Sequence, residues 1–465
     1  MSLSFTLVKP LFVPPLDPGF RPASLATRAF REEVAGVGVP LILGLERGNG
    51  EIGRFETLVF PKDHPRAKED LFYAERILKF LLWQRGGWKV YVGGPRFIGD
   101  YILKEYAPDG GRQFDFHFMG EQVYEKTFTV IPCDPSNVPQ ANEVGKELGR
   151  HLDGYRIGFD LGASDRKVSA VVNGQAIFSE EVIWEPKKHS DPEYHYREVM
   201  ASLSSAATRL PRVDAIGGSS AGIYIDNRPM VASLFRSIPQ DRYSEIKNMF
   251  LRIRDEMGVP LEVINDGDVT ALAGSMSLED NAILGIAMGS SEATGYVDGN
   301  GHILGWLNEM AFAPVDFSPN APDDEWSGDY GVGSMYFSQQ CVFRLASKAG
   351  IVIPDGGISD AEKLEFVQEK LEAGHTGAIQ IWQCMGIYLG YGLAQYADFY
   401  DIKHVLILGR CTSGRGGDLI LENANQVLQS EFPDLASKIT VQLPDEKSRR
   451  VGQSIAAASL PTLPK

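Results

Sequence analysis

The chain has 465 residues, 43% hydrophobic and 23% charged, with a net charge of −16 and a pI near 5.1. That length suits two or three domains, and the composition is that of an ordinary soluble protein. The acid excess excludes a duplex-binding surface, which needs clustered Lys and Arg against phosphate, so no nucleic-acid partner is expected. No apolar run is long enough to span a membrane, and the first twenty residues lack the basic-then-apolar pattern of a secretory signal. The cysteines Cys133, Cys341, Cys384 and Cys411 are far apart with no CxxC spacing. This points to a reduced, cytoplasmic compartment and away from a disulfide framework or a structural zinc.

In chain order, residues 1–36 are rich in Pro, then weakly helical, and predict a packing arm. Residues 38–60 predict a hairpin turning at Arg47-Gly48-Asn49-Gly50. Helical spacing marks 67–86, Trp88–Gly94 reads as a buried strand, and a helix follows it. The stretch Ile131–Gly145, with three prolines, is the best linker candidate. The division expected from this is an N-terminal α/β extension over 1–150, a small lobe over 151–272 and a large lobe over 273–465. The last helix, at about 446–460, is expected to return to the small lobe.

Three segments carry the chemistry. RIGFDLGASDRKVSAVV (Arg156–Val172) is a strand, a tight Gly162-Ala163-Ser164 turn and a second strand. Small residues let backbone N–H groups approach a polyphosphate. Asp160 stands where a carboxylate would hold Mg²⁺ through water, and Ser164 can donate to a phosphate oxygen. The plain alternative is a hairpin with a glycine turn. AILGIAMGSSEATGYVDG (Ala282–Gly299) repeats the logic with Gly289, Ser290, Ser291 and Thr294. HVLILGRCTSGRGGD (His404–Asp418) is a strand running into a glycine loop, where Gly409 and Gly414 let backbone approach a nucleoside. It matches neither the dinucleotide nor the P-loop fingerprint.

Between them, LEVINDGDVTALAG (Leu261–Gly274) is a strand ending in Asn265-Asp266 and leading into a helix. Asp266 suits a base that accepts a hydroxyl proton, and Asn265 can fix a substrate hydroxyl. The alternative is an Asx cap on the helix, and both readings hold together if Asp268 caps while Asp266 reacts. Ser219, Ser220 and Gly222, at another strand end, can line a hydroxyl-rich pocket. The group His189, Asp191, Glu193 and His195 reads as a solvated loop rather than a metal site. The small residues of the apolar helix around Trp382 and Tyr388 predict tight helix packing.

From Arg156 to about Leu460 the order of these motifs resembles the ROK family of sugar kinases and related repressors, of the actin/hexokinase superfamily. Asp160-Leu161-Gly162-Ala163-Ser164 stands for the family's D-x-G-G-T, Gly222 with Ser219 and Ser220 for its G-x-x-G, and Asn265-Asp266 for its N-D. Asn308-Glu309-Met310-Ala311-Phe312 stands for G-E-x-G-H, so Glu309 is the implied sugar-binding glutamate and Phe312 replaces the histidine. The resemblance implies an α/β fold with two ribonuclease-H-like lobes around a cleft. It also implies ATP- and Mg²⁺-dependent phosphorylation of a sugar or polyol hydroxyl.

Departures from the family pattern are specific. The cysteine-rich zinc loop is missing, so no structural zinc is expected. Ser334 replaces a second sugar-contacting glutamate, with Asp329, Trp326 and Tyr330 as substitutes. Glu292 and Arg410 replace glycines of the phosphate and adenosine loops. They keep open a second reading, a non-catalytic sugar- or nucleotide-binding protein that retains the kinase fold. The N-terminal 150 residues do not read as the family's DNA-binding winged helix. Their open roles are covering the lobes, building a contact in a homodimer, or contributing to the acceptor pocket.

Overall fold

The turn at Gly48–Gly50 is tight because Asn49 and Gly50 both take positive φ (56° and 74°), which Asn and Gly tolerate best. The computed structural model containing it describes residues 5–354, 356–444 and 446–463, with backbone alone for 446–451. The chain divides into two compact units. The first comprises Met1–Val144, Ile286–Thr294 and Trp306–Leu443; the second comprises Gly145–Gly285, Gly295–Gly305 and Pro444–Lys465.

The first unit opens with helix α1 (Ala23–Val34) and the expected hairpin, β1 (Val39–Glu46) and β2 (Ile52–Val59). Helix α2 (Glu69–Arg85) stops at Gly86, whose φ is +84°. Next come β3 (Lys89–Gly93), α3 (Arg96–Glu105), α4 (Gln113–His117) and β4 (Thr129–Cys133), giving a sheet ordered β2-β1-β3-β4. The expected linker therefore starts later than the prolines suggested. Ile131, Pro132 and Cys133 pair in parallel with Tyr91, Val92 and Gly93, and Pro132 is tolerated because β4 is an edge strand.

In the second unit, β5 (Tyr155–Leu161), β6 (Asp165–Val172) and β7 (Gln175–Ile183) form an antiparallel meander. Helix α5 (Pro192–Ala207) follows, capped by Asp191. The segment read as a solvated loop is thus the start of a helix, and His195 is buried with its ring bonded to the Asp191 and Pro186 carbonyls. Strand β8 (Ala215–Ser220) lies parallel to β5. A small ribbon follows, β9 (Ile223–Ile225) with β10 (Arg228–Val231). Helices α6 (Tyr243–Lys247) and α7 (Met249–Met257) lead to β11 (Leu261–Asn265), parallel to β8, and then to α8 (Asp266–Leu278). The resulting sheet is ordered β11-β8-β5-β6-β7.

Strands β12 (Ile283–Met288) and β13 (Glu292–Val297) each pass from one unit into the other. The first unit then resumes with α9 (Gln339–Ala346), α10 (Asp360–Glu372), α11 (Thr376–Tyr396), β14 (His404–Leu408), α12 (Arg415–Glu431), α13 (Pro433–Ala436) and β15 (Thr440–Gln442). Helices α11 and α12 touch closely through Gly386 and Gly390. A Cβ there would lie 2.7 and 2.9 Å from the carbonyls of Ile420 and Ala424. The small residues around Trp382 are helix packing, as their spacing implied. Among the described residues, no helix is long and apolar enough to cross a membrane.

The last helix, α14 (Glu446–Ala458), belongs to the second unit. Alternation along β5 sends Ile157, Phe159 and Leu161 into a core with Val199 and Leu203 of α5 and Phe250 and Ile253 of α7. Its other face meets α14: a Cβ on Gly158 would lie 1.6 Å from the Ser454 carbonyl, and one on Gly217 1.7 Å from that of Ala457. Arg156 on that face donates to the carbonyl of Pro461 at 2.7 Å. Gly217→Ala should therefore destabilise the second unit by about 1–3 kcal/mol or more, since backbone must move to admit the methyl. Gly36→Ala, with nothing within 4 Å of its Cβ, should change little. Denaturant unfolding of the two variants, followed alongside the parent, makes the comparison.

Candidate functional site

Three parallel strands of the second unit end side by side. The register sets Asp160 of β5 beside Ser219 of β8, and Ser220 of β8 beside Asn265 of β11. With Asp266 next in sequence, the predicted base, metal carboxylate and hydroxyl ligands converge at the carboxyl ends of the strands. This is the end at which open α/β sheets bind ligands.

Each side chain there is held by a neighbour. Ser219 donates from Oγ to Asp160 Oδ1 at 2.7 Å, and Tyr224 donates from Oη to Ser220 Oγ at 2.7 Å. Both serines are 0% exposed, which makes them supports for Asp160 and Tyr224 rather than surface ligands. Asn265 donates from Nδ2 to the Gly222 carbonyl (2.8 Å) and accepts from the Gly267 N–H (2.7 Å), so Asn265 is the helix cap. Asp268 instead accepts from the Tyr296 N–H at 3.1 Å, and its expected capping role falls to Asn265. Gly222 has φ +127°, and a Cβ on it would lie 2.5 Å from the Val231 carbonyl.

Electrostatics separates the two carboxylates. Asp266 is half-buried, and loss of water followed by the negative charge of Asp160 pushes its pKa up to about 6, against the Gly267 N–H. Burial also raises Asp160, opposed by the Ser219 hydroxyl and the Lys167 ammonium. Lys167 pairs with Asp160 across the β5–β6 ladder. Its Nζ lies 3.7 Å from Asp165 and 3.9 Å from Glu181. At the turn joining these strands, the Gly162 N–H donates to the Asp165 carbonyl (2.9 Å) and the exposed Ser164 donates from Oγ to Asp165 Oδ2 (3.0 Å).

In the first unit, Ser290 and Ser291 are exposed at the turn between β12 and β13, closed by the Gly289 N–H donating to the Ser291 carbonyl at 3.1 Å. Thr294 is buried and donates to the Asn308 carbonyl, which takes its hydroxyl away from ligand work. Glu292 is also buried, 3% exposed. Its Oε1 accepts from Tyr396 Oη at 2.9 Å, and its Oε2 has no hydrogen-bond partner. Burial, with the charge of Glu309 added, pushes its pKa up to about 8, toward the uncharged form. The side chain is turned inward, away from the exposed turn at Ser290 and Ser291. Gly333 makes room for it, because a Cβ there would lie 2.0 Å from Oε2.

Beside Ser290 and Ser291 opens a cavity of about 340 Å³, walled also by Phe312, Asp323, Asp324, Glu325, Trp326 and Ser334. Phe312 packs on Trp83 and Trp326, with centroids 4.4 and 5.2 Å apart. Ser334 donates to Asp324 Oδ1 at 3.2 Å, which sets a carboxylate beside the serine in the cavity wall. Asp329, expected as a substitute, is 1% exposed and ion-paired with Arg76 and Arg112. Glu309 is half-buried, its N–H donating to the Trp83 carbonyl at 3.0 Å.

At the end of β14, Gly409 has φ +98°, and a Cβ on it would lie 2.6 Å from the Met288 carbonyl. The loop must therefore carry glycine there. Gly414 is exposed, and the Glu372 carboxylate beside it accepts from the Arg415 N–H at 3.0 Å. Arg410 is exposed, and its carbonyl accepts from Gln368. Sequence reasoning missed Lys167, Tyr224, Asp324 and Tyr396. Only Lys167 had a readable signal: a turn at Gly162–Ser164 places residue 167 opposite residue 160. Among the described residues, no group of three or more His, Cys, Asp or Glu side chains is arranged to hold a metal.

Neither a protein-family model nor a curated protein matches this sequence. Solved structures do resemble it. A ROK hexokinase from Thermus thermophilus, 17% identical, superposes over 66% of this chain and 98% of its own with a TM-score of 0.50. A ROK-family transcriptional regulator, a homologue of the E. coli MLC protein, is 15% identical and covers 69% of this chain and 80% of its own, with a TM-score of 0.51. At such identities the likeness concerns the fold: the chain is α/β, ROK- and hexokinase-like over about two thirds of its length, with an extra region besides.

The state of Glu292 has a pH signature. Its folded pKa of about 8 exceeds the ordinary 4.5, so the folded protein holds a proton that the unfolded chain has released. Its contribution should lower stability as pH rises from about 4.5 to about 8. Glu292→Gln keeps an acceptor for Tyr396 without an ionisable group. Denaturant midpoints across that range should fall less steeply for the variant than for the parent.

Proposed function

We propose that this protein transfers the γ-phosphoryl group of ATP to a hydroxyl of a sugar or polyol. The observation that carries this reading is Asp266, at the end of β11 beside Asp160, with its pKa lifted to about 6. A base needs a pKa near the working pH, reach to the hydroxyl and a site partly free of water. The acceptor oxygen would give its proton to Asp266 as it attacks the γ-phosphorus, and the bond from that phosphorus to the β–γ bridging oxygen would break to release ADP. Asn265 and Glu309 would hold acceptor hydroxyls, while Ser219 orients Asp160 and Ser220 steadies the strand end.

Mg²⁺ fits the donor set. A hard cation takes carboxylate oxygen, and Asp160 supplies one, while the exposed ammonium of Lys167 lies nearest Asp165 and Glu181. Bound there, Mg²⁺ would offset phosphate charge. Gly162, Ser164, Gly289, Ser290 and Ser291 would approach the phosphates, and Gly409 and Gly414 the adenosine. Thr294 would hold the phosphate turn from behind. Among the described residues, the walls of the first unit's cavity carry no Lys, Arg or His, so sugar acids and sugar phosphates should bind there poorly and neutral or aminated sugars well.

Asp323, Asp324 and Glu325 around Ser290 and Ser291 favour one other reading, a protein that binds a neutral sugar without nucleotide. The regulator among the fold relatives shows that this architecture also serves outside kinases. Thermal melts with ATP, with and without Mg²⁺, separate the two. A nucleotide user gains about 2.7 kcal/mol at a hundredfold excess over Kd, whereas a sugar-only binder gains none.

For the kinase reading, ADP release with a panel of neutral sugars and polyols should fall by about 10²-fold or more in Asp266→Asn. In the parent, kcat/KM should fall away below a pH of about 6, as the base takes up its proton. A near-parental rate in the variant, or a flat acid limb, rules Asp266 out.

A further inference from the structure

The cavity wall formed by residues 323–326 belongs to a loop that is also anchored from outside itself. Asp329 is 1% exposed and is bound by three cations from the N-terminal region: Arg112 at 2.8 Å, Arg76 at 3.1 Å and Lys79 at 3.6 Å. Those cations are balanced by Glu75, which takes Arg76 and Arg112, and by Asp115, which takes Lys79 at 2.7 Å. The Asp324 N–H donates to the Asp329 carbonyl at 2.7 Å, so the anchored residue fixes the one that reaches the cavity. Asp324 in turn accepts from the Ser327 N–H (2.8 Å) and from Ser334 (3.2 Å).

Trp326 stands on the same loop, 59% exposed and part of the cavity wall. Phe312 packs on it at 5.2 Å, and the other rings behind it are N-terminal. Phe114 and Phe118 meet it edge-on, with centroids 5.6 and 5.8 Å away. Trp83 backs Phe118 at 5.0 Å and fixes α4 by donating from Nε1 to Asp115 at 2.7 Å. A half-exposed indole supported from behind offers its free face to the C–H face of a ring.

We propose that the N-terminal region sets ligand specificity, with Phe114 and Phe118 as positioning residues that fix the angle of Trp326 against a neutral polyhydroxylated ring in this cavity. Resting on the sugar reading of the preceding section, this gives the N-terminal region a part in recognition. Trp326 touches the ligand; Phe114 acts through Trp326. The ion cluster at Asp329 holds the loop that carries both Trp326 and Asp324.

Calorimetric titration of the full-length protein with D-glucose, D-mannose, D-fructose, D-glucosamine and D-sorbitol, without nucleotide, tests this independently of turnover. Binding in the parent should be weakened about tenfold in Phe114→Ala, the scale of one aromatic pair, with a changed order of preference among the sugars. Phe114→Tyr, which keeps the ring, should restore both affinity and order. Phe114→Leu, which fills the space without a ring, guards against misfolding of the alanine variant and should share its altered order. Unchanged affinity and order in the alanine and leucine variants would overturn the proposal, as would absence of sugar binding by the parent. Sugar binding sensitive to Phe114, with no ADP release in the kinase assay, would keep this inference and remove phosphoryl transfer.

Discussion

The second unit depends on a contact between backbones. Helix α14 lies so close to β5 and β8 that Gly158 and Gly217 have no space for even a methyl group. The approach closes the second face of the sheet and gives β5 and β8 a fixed platform. Asp160 and Ser219 sit on those two strands, two residues beyond the glycines, so the candidate metal carboxylate and its supporting hydroxyl are placed by the same packing. Asn265 adds the third strand by linking the start of α8 to the Gly222 carbonyl. The geometry at the strand ends is therefore inherited from packing deeper in the sheet.

Two carboxylates show how one physical cause serves different ends. Water is withdrawn from both Asp266 and Glu292, and both are pushed toward the protonated form. Asp266 is only partly withdrawn and ends poised between its two states near neutral pH. Glu292 is enclosed beside the Tyr396 hydroxyl and is pushed further, filling space behind the turn at Ser290 and Ser291. A charged letter in the sequence thus stands for a group that the fold pushes toward its uncharged form.

This marks where the sequence was legible. The hairpin at Gly48–Gly50, the glycine turn after Asp160, the Asn265-Asp266 strand end and the glycine stripe of α11 were readable because each is a local pattern with a local cause. What escaped depends on partners far away in the chain. The direction of Glu292 is set by Tyr396 and Gly333. The loss of Asp329 as a ligand is set by Arg76, Lys79 and Arg112 of the N-terminal region. Helix α2 hid its role for the same reason: it buries charged and apolar residues alike, so no clean stripe marks its inward face. The serines at the end of β8 read as free hydroxyls only until their neighbours are known.

The order in which the chain is made adds a consequence of the α14 contact. Arg156 and Pro461 meet across 305 residues of sequence. Until ribosomes deliver the closing helix, the sheet of the second unit has one face unprotected, with apolar and glycine-rich strands open to other chains. The first unit likewise waits for segments on both sides of the second. Folding of such an interleaved chain is slow by topology, because loop closure must precede the contacts that reward it. The yield of the protein in a cell should accordingly respond to the supply of chaperones.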